Sequence, residues 1–265
     1  MQLELVYRQP ETQTSATPIL FVHGAWHAAW CWDEYFLPYF AQHGYASYAL
    51  SLRGHGNSQG KERLRWWRIA DYVADVAQVA VSLPAPPIIV GHSAGGFIVQ
   101  KYLETHQAPA AVLLASVAPT GLVPLVLSMA ARHPLVFLRA MPTLDMRRLI
   151  GTPALCREWL FSVGMPADRV AQFTARMQNE SFLAFLDMSL FSLVRRAKIR
   201  TPLLVLGAHG DRLTPPRTIE ATARAYGTKA HIFPGMAHDM MLEPGWQQVA
   251  ATILAWLHDT LPASE

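Results

Sequence analysis

The segment Gly91-His92-Ser93-Ala94-Gly95 places a serine between two glycines, directly after the apolar run Pro87 to Val90 and ahead of a helix-like stretch from Ala94 to Thr105. In that context a G-x-S-x-G reads as a strand-to-helix turn too sharp for side chains two residues either side of the serine. The glycines relieve the clash and hold the hydroxyl above the strand end, at the helix N-terminus. A serine hydroxyl is a poor nucleophile at neutral pH. It needs an adjacent base, and the base needs an acid that fixes its tautomer. The chemistry to look for is therefore acyl transfer through Ser93, with an imidazole and a carboxylate supplied from elsewhere; a chance motif in a tight turn is the competing reading.

Eleven histidines are available. The order nucleophile, acid, base places the histidine last, on a loop after a late strand, and His238 in Phe233-Pro-Gly-Met-Ala-His238 has that position. His231 falls within a strand pattern and His258 near a helix end, where packing or solvation explains them. For the acid, Asp211 follows the apolar run Leu203 to Leu206 in Gly207-Ala-His-Gly-Asp211, at the strand edge where ligands meet α/β sheets. Asp239 is its rival, but it follows the histidine, and adjacent loop residues point apart. A helix cap at Pro215 is the structural alternative for Asp211, at four residues' reach.

His23-Gly24-Ala25 ends the first long apolar strand, where the amide of Ala25 can face a tetrahedral intermediate alongside that of Ala94. Trp26, next to this loop, and Met240 and Met241, next to His238, are candidate substrate contacts. His23 and His27 are four residues apart, but on a glycine-containing loop without a matched carboxylate, which argues against zinc; no metal is expected. Gly54 and Gly56 lack the Lys-Ser/Thr and the strand-to-helix turn of a phosphate cradle, so no nucleotide and no other cofactor is expected.

These residues need a scaffold. The runs Ile19 to Val22, Tyr45 to Leu50, Pro87 to Val90, Ala110 to Ala115 and Leu203 to Leu206 are short and turn-bounded, as buried parallel strands are. Helix-like stretches at Trp30 to Gln42, Ile69 to Leu83 and Ala94 to Thr105 alternate with them, which predicts an α/β fold with helices on both faces. The alternation stops after Ser116 and resumes at Thr201, predicting a helical cap over 117–199 inserted into a core of 1–116 and 200–265. After it come a helix from Pro215 to Tyr226, a strand from Ala230 to Phe233 and a last helix from Pro244 to Leu257.

Hydrophobic residues make up 51% of the chain and charged ones 15%, which excludes disorder. A net charge of +3 without a stacking or basic-helix motif gives no case for nucleic acid. Residues 117 to 198 hold ten Lys/Arg against five Asp/Glu, leaving twelve against fourteen elsewhere, so the basic character belongs to the cap. The same segment carries six of ten methionines and six of eleven phenylalanines; these either line a lipophilic pocket or form the cap's own core. Arg195 to Arg200 reads as a solvated hinge, with an anionic-headgroup site as the alternative. Gln107 to Ala131 has no charged residue, but Pro119, Gly121 and Pro124 break it, so no transmembrane segment is expected. The N-terminus lacks the pattern of a signal peptide, and a cytoplasmic location is expected. Cys31 and Cys156 are expected to be free, packed thiols.

Together, His23-Gly24, Gly91-His-Ser-Ala-Gly95, Gly207 to Asp211, and His238 with Glu243-Pro244 resemble the α/β-hydrolase superfamily over nearly all of the chain outside the cap. Leu52-Arg-Gly-His-Gly-Asn-Ser58 is similar to a loop of that family's esterases, lysophospholipases and monoacylglycerol lipases. The resemblance implies an α/β-hydrolase fold, a triad of Ser93, Asp211 and His238, and hydrolysis of a small-molecule, lipophilic carboxylic ester. Ser93 speaks against the branches that carry Asp at the elbow. Other serine-triad chemistries remain alternatives: carbon–carbon bond hydrolysis, perhydrolysis or hydroxynitrile lysis. So does a ligand-binding relative with little turnover.

Overall fold

Seven short strands form, and the five inner ones lie where apolar residues must face two ways. In the computed structural model, which describes residues 1–12 and 15–261, the seven are β1 (Leu5–Arg8), β2 (Ile19–Val22), β3 (Ser47–Leu50), β4 (Ile88–His92), β5 (Ala111–Leu114), β6 (Leu203–Ala208) and β7 (Ala230–Phe233). They make one sheet in the order β1-β3-β2-β4-β5-β6-β7. Every pairing is parallel except that of β1 with β3, which is antiparallel.

Helices cover both faces. Along the chain these are α1 (Trp30–Asp33), α2 (Phe36–Gln42), α3 (Ile69–Ser82) and α4 (Ala94–Tyr102); then α5 (Val123–Arg132), α6 (Pro134–Thr143), α7 (Pro153–Leu160), α8 (Ala167–Arg176) and α9 (Phe182–Leu186) between β5 and β6; and finally α10 (Pro216–Ala225) and α11 (Trp246–Thr260). Strand side chains alternate between faces with period two. Ile19 and Phe21 of β2 accordingly pack with Trp32, Phe36 and Ile253 of α1, α2 and α11, while Leu20 and Val22 pack with Ile69, Val76 and Phe97 of α3 and α4. The same division runs through β4, β5 and β6, which is why these strands read as unbroken apolar runs.

The single helix expected over Trp30 to Gln42 is two. A proline ring clashes with the carbonyl four residues earlier. Pro38 therefore prevents helix from running through Glu34, and the chain restarts at Phe36 with Pro38 in the first turn of α2. The edge strand β1 carries none of the continuous apolar signal of its neighbours. It is four residues long, half exposed, and paired through Leu5 with Leu50 and Arg8 with Ser47.

Five helices occupy the interval between β5 and β6, and polar groups tie this stretch to the rest. Asp187 pairs with Arg68, Glu180 Oε2 lies 3.2 Å from His55 Nε2, and Ser162 Oγ donates to Glu243 Oε2 at 2.6 Å. Met129, Met146, Trp159 and Phe173 of the interval are buried, whereas Leu127, Leu135 and Leu138 are exposed. Among the described residues no single helix is long and apolar enough to cross a membrane; Gln107 to Ala131 is divided among β5, a loop and α5. Cys31 and Cys156 are buried and unpaired.

Parallel pairing has one consequence for chemistry. The loops after β2, β4, β5, β6 and β7 all emerge at the same edge of the sheet, so residues as far apart as 23 and 238 are delivered to one place.

Candidate active site

Ser93 sits between β4 and α4 with φ 53° and ψ −118°. A non-glycine residue at positive φ costs about 1–3 kcal/mol and persists only where its surroundings over-determine it. Here they do: Ser93 N donates to Leu114 O at 3.0 Å, and Ser93 O accepts from Val117 N at 3.1 Å. The flanking glycines are required by space. A Cβ on Gly95 would lie 2.4 Å from the carbonyl oxygens of Val22 and His23, and one on Gly91 would lie 2.6 Å from Gly95 O. Ser93 is 8% exposed.

His238 Nδ1 lies 2.8 Å from Asp211 Oδ2, and both side chains are buried. Asp211 is held from several directions: its Oδ1 accepts from Leu213 N at 2.8 Å and Thr214 N at 2.9 Å, and its Oδ2 from Thr214 Oγ1 at 2.7 Å. The carboxylate therefore organises its own loop as well as the imidazole, and α10 starts beyond it with Pro215 at its cap position. Burial alone would raise the Asp211 pKa, but His238 and the donors of Thr214 outweigh it and hold the carboxyl below its usual range. For His238 burial works downward, and Asp211, helped by the charge of Asp239, raises the imidazole above its ordinary value of 6.5.

This sets a pH prediction. A general base works only when neutral, so with His238 as the base activity would be present above its pKa and lost as pH falls through it. The acid limb of kcat/KM should have its midpoint above pH 6.5. A pH–rate profile measures it, and a midpoint well below that value would show that Asp211 does not control the titrating group.

The loop Gly24–Trp26 lies against the serine: a Cβ on Gly24 would approach Ser93 Cβ to 2.9 Å. Among the described residues the amides of Ala25 and Ala94 meet no protein acceptor, Ala94 because it opens α4. Two free N–H groups beside a serine are what an oxyanion requires. Ser93 Oγ makes no side-chain hydrogen bond among the described residues; its link to His238 is open.

Trp26, at φ 67°, is 7% exposed and donates through Nε1 to Met146 O at 3.1 Å. Met240 and Met241 are fully buried in the same apolar cluster as Trp26, Met146 and Trp159. A groove of about 390 Å³ adjoins the site from the β5–β6 side, lined in part by Val117, Leu122, Leu125, Leu213 and Thr214. A groove of about 410 Å³ between Leu103–Ala108 and Lys198–Pro202 opens instead at the start of β5 and β6, away from Ser93.

Sequence reading passed over several groups that the structure brings here. Asp239, the rival acid, has its Oδ2 3.0 Å from His27 Nε2 and not on His238. The carboxylate that His27 lacked on its own loop thus arrives from 212 residues away, and no local signal announces it. His92 Nε2 donates to His238 O at 3.0 Å; burial, with His238 beside it, pushes the His92 pKa down to about 3, so that ring is neutral. His92, His238 and Asp239 bring ligand-type atoms within 4.8 Å of one another. His92 Nε2 and His238 Nδ1 are already engaged in the hydrogen bonds above, however, so a cation there would compete with them.

Residues 13–245 match the family model described as "Serine aminopeptidase, S33" (Hydrolase_4). A monoacylglycerol lipase of Mycolicibacterium smegmatis is 26% identical over 230 residues, 82% of this chain and 80% of that protein. A non-heme haloperoxidase of Rhodococcus erythropolis is 35% identical over 113 residues, of which this chain spans only 39% of the relative's length. A thermophilic esterase structure from Thermogutta terrifontis has a TM-score of 0.73 at 18% identity, covering 97% of this chain and 94% of that one; at that identity the likeness speaks for the fold.

Proposed function

Because the chain belongs to the serine aminopeptidase (Hydrolase_4) family and has the α/β-hydrolase fold, we propose that this hydrolase cleaves carboxylic esters carrying a lipophilic acyl or alcohol group. The reaction runs through an acyl-enzyme on Ser93. The observation that carries the reading is the buried 2.8 Å contact of His238 Nδ1 with Asp211 on the edge where Ser93 stands in its strained turn.

In this mechanism Asp211 accepts the Nδ1 proton of His238 in a hydrogen bond and so leaves Nε2 as the base. Ser93 Oγ attacks the ester carbon while Nε2 takes its proton, and the carbonyl oxygen becomes an oxyanion held by Ala25 N and Ala94 N. Collapse of the intermediate expels the alcohol, which takes the proton from Nε2. Water then repeats the sequence on the acyl-enzyme, releasing the acid and restoring Ser93. No metal or cofactor enters a step.

Residues 117–199 act as the cap in this reading. The groove beside Val117 and Thr214, with Leu122, Leu125 and Leu213 as its apolar walls, takes the tail, and its volume falls within the usual 300–1,000 Å³ of ligand sites; Met240 and Met241, expected from the sequence to touch substrate, are fully buried and pack beneath the site instead. The family's description raises aminopeptidase activity as a second reading. That activity needs a free carboxylate for the substrate ammonium, and Glu180, near Trp26, is already engaged by His55, Tyr72 and Ser181.

A series of p-nitrophenyl esters from acetate to palmitate, with an aminoacyl p-nitroanilide alongside, tests the choice. Each buried methylene contributes about 0.8 kcal/mol, so kcat/KM should rise up to roughly fourfold per added methylene until the groove is full. The expected optimum lies at an intermediate or long chain. Acetate as the best ester would mean that the apolar residues only pack on one another, and a preferred anilide would favour the peptidase.

A further inference from the structure

Behind the proposed triad lies a buried polar pair that the mechanism above does not use. His27 is 1% exposed and Asp239 is 0% exposed. His27 Nδ1 lies 2.8 Å from Ala25 O and its Nε2 lies 3.0 Å from Asp239 Oδ2. One ring thus touches the residue proposed to stabilise the oxyanion and the residue that follows the proposed base. We propose that His27 is a positioning residue which, by bridging Ala25 and Asp239, locks the oxyanion loop to the loop carrying His238. The inference rests on the triad reading given above.

The loop it would hold is one that needs holding. Trp26, next to Ala25, stands at φ 67°, a conformation disfavoured for a bulky residue. The 24–27 turn is otherwise held by His27 N and His23 Nδ1 on Gly24 O at 3.4 and 2.8 Å, and from the other side by Gln178 N on Trp26 O at 2.9 Å, Trp26 N on Glu180 Oε2 at 3.4 Å and Trp26 Nε1 on Met146 O at 3.1 Å. Fixing the Ala25 carbonyl fixes one end of the residue whose N–H must point at the substrate. At the far end the base loop is equally constrained: Asp239 N donates to Leu160 O at 3.0 Å, and His92 Nε2 donates to His238 O at 3.0 Å. Burial would raise the Asp239 carboxyl, but His27, together with His92 and His238, keeps it below its usual range, so the bridge carries charge.

An oxyanion donor is worth about 10²–10³ in kcat, and a misplacement of about 1 Å in a site costs about 10²-fold. Losing the bridge should therefore lower kcat ten- to hundredfold and leave KM within threefold. The test uses His27→Leu, Asp239→Leu, the double variant and Asp239→Asn, with kcat and KM on a p-nitrophenyl ester, the rate of Ser93 modification by a fluorophosphonate, and Tm. Each single Leu variant leaves a buried polar partner unmatched and should lose both Tm and kcat. Replacing both partners by apolar groups is often neutral for stability. The double variant should regain most of the lost Tm while kcat and the labelling rate stay at least tenfold down. Asp239→Asn, whose amide can donate to His27 Nε2 while Nδ1–H stays on Ala25 O, should keep kcat within threefold.

A double variant that recovers kcat along with Tm overturns the bridge, as does an Asp239→Asn that loses as much as Asp239→Leu. If Leu is not accommodated, Asp239→Ser, too short to reach His27, must show the same loss of kcat, and a Ser variant with wild-type kcat overturns it. A wild type that does not label at Ser93 overturns the triad reading and this inference together; one that labels, with bridge variants that label as fast, overturns the bridge alone.

Discussion

Ser93→Ala should fold as the wild type does and lose nearly all ester hydrolysis, with kcat lower by about 10⁶-fold. What remains is the roughly 10³–10⁴-fold over water that binding and the oxyanion donors supply. The fold should survive because the backbone at 93 is held through Leu114 O and Val117 N, which Ala retains, and because the hydroxyl makes no side-chain hydrogen bond among the described residues. Ala is no worse than Ser at φ 53°. Steady-state kinetics with a thermal melt reads both quantities. A variant with unchanged Tm and more than a tenth of wild-type kcat would remove Ser93 from the chemistry.

Asp211→Asn should cost about 10⁴-fold in kcat. Asn can keep the bonds from Leu213 N and Thr214 N to Oδ1, and Thr214 Oγ1 can turn its proton to Ala115 O, which lies 3.0 Å away. The loop therefore has a way to stay folded. The amide nitrogen then donates to His238 Nδ1, which forces the proton onto Nε2, the wrong tautomer for a base facing Ser93. Asp211 is also the main influence raising the His238 pKa, so the acid limb of the residual activity should move down from its wild-type position. Near wild-type kcat in Asp211→Asn, with a collapse in Asp239→Asn, would transfer the role to Asp239.

Much of this arrangement is legible in the sequence, for local reasons. The two-sided burial of β2, β4, β5 and β6 writes itself as apolar runs, and the clash that a Cβ would meet at Gly91 and Gly95 writes itself as glycine. Asp211 and His238 stand directly after strands, where chain order and sheet edge together limit the choice. Elements without a local signature were not legible. β1 is too short and too exposed to show a pattern, and its partner lies beyond β2. The break between α1 and α2 depends on where Pro38 falls in the turn. The partners of His27, His92, Glu180 and Asp239 lie across the fold, and as residues these are ordinary histidines and acids. Glu180 is the clearest example: it collects His55, Tyr72 and Trp26 from three distant segments, and nothing in its neighbourhood of the sequence predicts any of them.

The central claim is that Ser93 is the nucleophile, and covalent labelling tests it most directly. The wild-type protein is treated with a fluorophosphonate, digested, and the modified peptide sequenced by mass spectrometry. One adduct on Ser93 is predicted, formed more slowly as pH falls below the His238 pKa and absent in Ser93→Ala. Modification confined to another serine, with Ser93 intact, would contradict the account.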